Sequence, residues 1–317
     1  MHKVLIWPVI FLLLVALPHG LSFSQQETLV FLTINILLVS SYRLLTLTGE
    51  WSLGHVVIMG VGAYASALYT KEFGVWVPIS MLLGGLTAAL LAVLLSFPLF
   101  RMKGFYFLIG SFAAGEIIRL LWKRFRDPFG GPKGIKGIDP MPDFSIGFYQ
   151  FDFFEPVSYY YFAGFIVAVC LWILWRIENS PVGLTFHAVH WQDKLAEASG
   201  VNLRAYRTLA FAVASGFAGI GGALLAHYVG TINPNSFDVE VMVFVLTWAI
   251  VGGTATFYGP IMGCVVLTVL NEIVLREMGF EQMRPLIYGL ILIASILFLP
   301  NGLESLVQRF TRKEAKA

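Results

Sequence analysis

The chain has 317 residues, of which 57% are hydrophobic and 13% charged, with a mean hydropathy of +0.77 and a formal net charge of +2. A soluble globular domain carries about 25% charged residues, so this composition excludes one and marks an integral membrane protein. The small net charge gives no reason to invoke nucleic acid.

Apolar runs long enough to cross a bilayer, about 17 to 25 residues each, fall at about 4–20, 28–47, 55–70, 76–99, 104–124, 157–177, 205–228, 239–258, 259–276 and 284–300. The expected fold is therefore all-α: one polytopic membrane helix bundle over residues 1–317, with about ten spans. Lys3 ahead of the run from Val4 to Leu17 resembles a secretory signal. No small-residue cleavage pair closes that run, and Pro18-His19 is a poor site, so a retained helix is expected. The longest hydrophilic connection, about 126–156, is rich in Gly, Pro and aromatic residues and is expected to be periplasmic. It reads either as a docking loop for a soluble partner or as a solvated loop packed on itself.

A polar insert at about 178–204 separates two strongly apolar stretches. It has room for a short helix, with Ala196, Ala198 and Ser199 running into Gly200, a natural helix stop. From spacing alone it is either an interfacial loop helix or a docking element. Placing it in the cytoplasm puts both termini inside, with a basic tail at about 304–317 as anchor. The 21 Lys and Arg residues then divide 12 inside against 9 outside, a bias of the expected sign.

Glycines gather where two spans break: Gly49, Gly54, Gly60 and Gly62 in the first half, Gly252, Gly253, Gly259 and Gly263 in the second. Backbone can leave the helix inside hydrocarbon only where protein or water satisfies its amides. One broken segment in each of two related halves points to a translocation path with a polar centre. The competing reading is close packing through small residues, as Gly259 and Gly263 would allow. The segment Gly49, Glu50, Ser52, Gly54 and His55 and the segment Gly252, Gly253 and Thr254 are the candidate path residues, expected to meet in one cavity near mid-membrane.

Charges within spans are few. Glu116 with Arg119, and Glu272 with Arg276, have the spacing of self-neutralising pairs on a helix face. Arg43 sits near the inner end of its helix, from where it can snorkel. Cys170 and Cys264 fall inside spans and read as packing residues. Six His residues show no His-Glu-x-x-His spacing, no Gly-x-Ser-x-Gly elbow occurs, and Gly130 to Gly137 lacks the Lys-Ser/Thr end of a phosphate loop. No catalytic, metal or cofactor site is expected, and the chain cannot hydrolyse ATP alone.

Thr48-Gly-Glu-Trp-Ser-Leu-Gly-His55 followed by Gly60-Val-Gly-Ala-Tyr64, Phe112-Ala-Ala-Gly-Glu-Ile-Ile-Arg119, Ala196-Glu-Ala-Ser-Gly-Val-Asn202, Gly252-Gly-Thr254, Gly259-Pro-x-x-Gly263 and Leu299-Pro-Asn-Gly-Leu303 occur in this order. Together they resemble the permease subunits of branched-chain amino acid-type ABC importers, the LivM-like branch. Lys133 departs from the Asn common in that family's Gly-rich loop, and Glu50 stands where it often has an uncharged polar residue.

The resemblance implies a permease in the bacterial inner membrane that works with a second related permease, two ATP-binding subunits and a periplasmic binding protein. The partners, not this chain, would bind ATP. Ala196, Glu197, Ala198 and Gly200 would meet the ATPase, with Glu197 offering a charged contact. The substrates implied are branched-chain amino acids, other amino acids, urea or short amides, or small carboxylates. The alternative is a secondary transporter driven by an ion gradient, which needs ionisable residues free to change state within the membrane.

Overall fold

The computed structural model describes residues 16–146, 149–271, 281–299 and 302–305. Most of the candidate span at 4–20 and the Glu272/Arg276 pair fall outside the described residues. In chain order the helices are α1 (Phe23–Thr46), α2 (His55–Phe73), α3 (Val77–Leu99), α4 (Phe105–Arg124), α5 (Pro156–Glu178), α6 (Pro181–Trp191), α7 (Asp193–Ala198), α8 (Leu203–Val229), α9 (Val239–Gly252), α10 (Gly259–Leu270) and α11 (Arg284–Phe298). Proline opens α3, α5, α6, α10 and α11 in the first turn, where its missing N–H has no helical partner to lose.

Seven of the ten expected spans contain a helical stretch long and apolar enough to cross a membrane, α9 taken from Pro234 and α11 through to Ser305. The exceptions among the described residues have separate reasons. α2 carries Tyr64, Ser66, Tyr69, Thr70, Lys71 and Glu72 in its second half, and of the expected span at 259–276 residues 272–276 fall outside the described residues.

The longest helix, α8, runs through the middle of the bundle and packs on α1, α2 and α3. Its inward face is made of small residues because neighbouring backbones leave no room for larger ones. A Cβ added at Gly222 would lie 2.0 Å from the Met59 carbonyl oxygen, and one at Gly62 would lie 2.3 Å from Gly219 Cα. Without a hydrophobic drive between helices in lipid, such close approach supplies the attraction. α3 shows the complement. Ser80, Gly84, Ala88, Ala92 and Ser96 face inward, while Leu82, Leu86, Leu90 and Leu94 recur every four residues on the exposed side.

Two ends of the bundle can be told apart. At one, the connection after α4 forms the strand β1 (Ile135–Lys136), which pairs antiparallel with β4 (Thr231–Ile232) just beyond α8; β2 (Phe144–Ile146) and β3 (Tyr149–Phe151) make a local hairpin. Lys71 Nζ donates to the Lys136 carbonyl at 3.0 Å. His227 Nδ1 donates to the Asp139 carbonyl at 2.6 Å, while its Nε2 accepts from Ser66 Oγ at 2.9 Å. The 178–204 insert marks the opposite end.

Candidate functional site

The insert is two short helices folded back on the bundle. Ser180 caps α6 through its hydroxyl, and Gly183, Phe186 and Val189, one helical turn apart, turn inward. Gly183 is pressed so closely on the chain it follows that a Cβ there would sit 2.0 Å from the Glu178 carbonyl oxygen. Gln192 departs from helical geometry and separates α6 from α7. Val201 N–H then donates to the Ala196 carbonyl at 3.0 Å and Gly200 N–H to the Glu197 carbonyl at 2.9 Å. These two bonds are the Schellman closure, with Gly200 at φ +87° in the left-handed position. Asn202 Oδ1 accepts from Ala205 N–H and starts α8 immediately.

Of the residues expected to face a partner, Glu197, Ala198 and Gly200 are exposed, whereas Ala196 is buried against the bundle. The outer surface of the insert also exposes Leu184, Trp191 and Leu195, the last two at 79% and 61%. Periodicity in the sequence did not single these out, because apolar residues on a short helix ordinarily face the core. His187 lies half-buried, and burial first, then the positive charge of Arg43 and the nearness of the His190 ring, depress its basicity.

The first break, residues 47–54, lies at the insert end rather than halfway along the helices. His190 donates to the Thr46 carbonyl at 3.2 Å, and its ring lies against Gly49, which adopts φ +82°. Glu50 is 2% exposed and ion-paired with Arg207 Nε at 3.3 Å. Arg207 also reaches both carboxylate oxygens of Asp193 at 2.9 Å, and Lys103 approaches Asp193 at 3.6 Å. Two of the freed amides are satisfied by side chains: Leu53 N–H donates to Ser111 Oγ, and Gly54 N–H to Ser52 Oγ. Gly54 lets α4 approach, since a Cβ there would be 2.4 Å from the Ser111 carbonyl oxygen. His55 is fully buried, with Nε2 at 3.0 Å from Ser41 Oγ.

The second break, residues 253–258, is organised around Glu304. Its carboxylate accepts from Ala255 N–H at 2.7 Å, Thr256 N–H at 2.8 Å and Thr256 Oγ1 at 2.5 Å. A Cβ at Gly253 or Gly259 would collide with that carboxylate, and one at Gly302 with Gly253, so these glycines make room for an anion and for the chain that carries it. Gly252 and Gly263 pack backbone to backbone. Gly253 adopts φ +98°. Glu304, expected from the sequence at the start of a basic tail, is 3% exposed.

Thr254 contributes its carbonyl, which accepts from Arg43 Nη1 at 2.9 Å, while Arg43 Nη2 holds Glu178 at 2.5 Å. Arg43 therefore does not snorkel. It is 1% exposed, because a carboxylate and a carbonyl meet it inside the bundle. The two breaks are brought together through this residue: Arg43 lies in the last turn of α1, which leads into the first break, and its guanidinium grips the second. The Glu116/Arg119 pair forms on α4 with two bonds of 2.8 and 2.6 Å. Cys170 and Cys264 are free and buried. Among the described residues no group of three or more His, Cys, Asp or Glu is placed to hold a metal ion.

The family described as branched-chain amino acid transport system / permease component matches residues 26–296. LivM of Escherichia coli strain K12, a high-affinity branched-chain amino acid transport system permease protein, is 28% identical over 275 residues, 81% of this chain and 64% of the relative. The chain thus spans less than two thirds of that relative's length. MglC of Salmonella typhimurium, a galactose/methyl galactoside import permease protein, is 26% identical over 45% of this chain and 44% of its own. LsrC of Salmonella paratyphi B, an autoinducer 2 import system permease protein, is 24% identical over 48% and 45%. No solved structure matches. A match over most of the chain, joined to seven membrane-length helices, decides the matter: the chain belongs to the family of branched-chain amino acid transport system permease components, which are transport subunits and not enzymes.

Proposed function

We propose that this chain is the permease subunit of an ATP-driven importer in the inner membrane, with both termini cytoplasmic, about ten spans in two related halves, and branched-chain amino acids or similar small polar solutes as cargo. Its partners are a second related permease, two ATP-binding subunits and a periplasmic binding protein. The carrying observation is the insert: a helix pair held to the bundle by the Asp193–Arg207 ion pair and by the close fit of Gly183 on Glu178, whose outer face shows Leu184, Trp191, Leu195 and Glu197. An exposed apolar patch beside a charge fits a partner's groove. The family membership and the likeness to LivM support the cargo class.

Gly200 supplies the test of docking. A side chain there meets nothing within 4 Å, yet the left-handed backbone costs a non-glycine residue about 1 to 2 kcal/mol. Gly200→Val is expected to leave the protein inserted and assembled while ATP hydrolysis stimulated by binding protein with leucine falls about tenfold, the equivalent of 1.4 kcal/mol. Unchanged stimulation would remove the docking assignment.

In this reading the two breaks, Gly49, Glu50, Ser52, Gly54 and His55 with Gly252, Gly253 and Thr254, flank the inward mouth of the path. Cysteines at Ser52 and Thr254, in a background lacking Cys170 and Cys264, are expected to react with a small water-soluble thiol reagent in at least one nucleotide state. Leucine-loaded binding protein is expected to slow the reaction. Variants that transport while both positions stay unreactive in every state would make the glycines packing devices.

A further inference from the structure

Two wires of buried charge leave the insert. One runs from Asp193 at the start of α7 through Arg207 to Glu50 of the first break. The other starts at Glu178, the last residue of α5, against whose carbonyl the first turn of α6 is pressed. From Glu178 it passes to Arg43 and then to the Thr254 carbonyl, next to the two amides held by Glu304. The steps of this second wire span four separate parts of the chain, and each is a direct hydrogen bond, whereas Arg207 meets Glu50 as an ion pair alone.

We propose that Arg43 is the positioning residue that links the root of the insert to the backbone of the second break, so that displacement of the insert is delivered to Thr254–Thr256. This rests on the reading of the insert as the ATPase contact.

Three physical points carry it. First, α6 cannot shift without taking Glu178 with it, because Gly183 is pressed against the Glu178 carbonyl with no slack between them. Second, parting Glu178 from a guanidinium that is 1% exposed would strand a charge in the bundle, so the pair moves as a unit. Third, an apolar pair of similar volume would join α1 to α5 equally well, but it could not hold a carbonyl. Only a planar fork with two terminal nitrogens addresses a carboxylate and a carbonyl in fixed directions together. Glu304, gripping the next two amides, makes the break a rigid handle at the receiving end.

The test uses the assembled transporter, with cysteines introduced singly at Leu195 and at Thr254 in a background lacking Cys170 and Cys264. Thr254→Cys keeps the carbonyl that Arg43 binds. Labelling by a charged methanethiosulfonate is timed without nucleotide and with ATP and vanadate. Both positions are expected to change rate at least about fivefold between the two states, the lower end of ordinary site-to-site coupling.

With Arg43→Met/Glu178→Met, which removes both charges together, the change at position 254 is expected to vanish while that at position 195 persists. A persisting change at 254, or none at 254 without the double substitution while 195 responds, overturns the proposal. No response at 195 in the otherwise unaltered transporter instead sinks the docking reading. If the double variant does not assemble, Arg43→Lys keeps the pair with Glu178 but surrenders the second terminal nitrogen. It is expected to reduce the change at 254 at least about fivefold, and an undiminished change would again overturn the proposal.

Discussion

Arg207→Met is expected to destabilise the protein by about 3 to 5 kcal/mol, the usual result of removing one partner from a buried pair. Arg207 is 8% exposed and faces Glu50 at 2%, so the substitution leaves a carboxylate inside the bundle with no cation in contact. Asp193 loses its two 2.9 Å bonds at the same time, and only the exposed Lys103 at 3.6 Å remains to it. Adding Glu50→Gln removes the stranded charge, so the double variant is expected to recover most of the loss. Thermal unfolding in lipid nanodiscs reads both effects. Equal midpoints for Arg207→Met and the unaltered protein would show that water reaches Glu50.

Gly222→Val is expected to be at least as severe and for a different reason. The added Cβ alone would stand 2.0 Å from the Met59 carbonyl oxygen and 3.1 Å from Ala63 N, so two helix backbones must separate. Overpacking a core with flexible neighbours costs about 1 to 3 kcal/mol, and backbone on both sides offers no such give. Gly164, where an added Cβ meets nothing within 4 Å, is the matched control. Gly164→Val should reach the membrane in near-normal amount while Gly222→Val does not, as membrane-fraction yield would show. Equal yields would mean α8 does not sit where the structure puts it.

The difference between these glycines explains how much of the molecule could be read from its sequence. Spans follow from hydropathy summed over about 20 residues, which is why seven of them were legible. The stop at Gly200 was legible because a left-handed residue is a local demand. Pairing was legible only along one helix, as for Glu116 and Arg119. Arg43 is 135 residues from Glu178 and 211 from Thr254, and nothing in their neighbourhoods announces the meeting. A buried Arg in a span is still a signal in itself: with no water to snorkel to, it demands an acid, and Glu178 closes the span that leads into the insert. Glu304 was hidden more deeply, since the glycines that cradle it look the same on paper as glycines that line a path.

The reversed face of α3 changes which of its positions can drift. In a water-soluble helix the bulky apolar side chains are fixed by their neighbours and the small exposed ones are free. Here lipid tails, which mould themselves to any outline, cover Leu82, Leu86, Leu90 and Leu94, while Gly84 and Ala88 are held by the backbone of α2 and by Gly219 of α8. A saturation scan of α3 should therefore accept Ile, Met or Phe freely at the leucines. At Ala88 it should reject even a single added methyl branch, and the profile so obtained, read by the rules for soluble helices, would assign the interior of this helix to its outside.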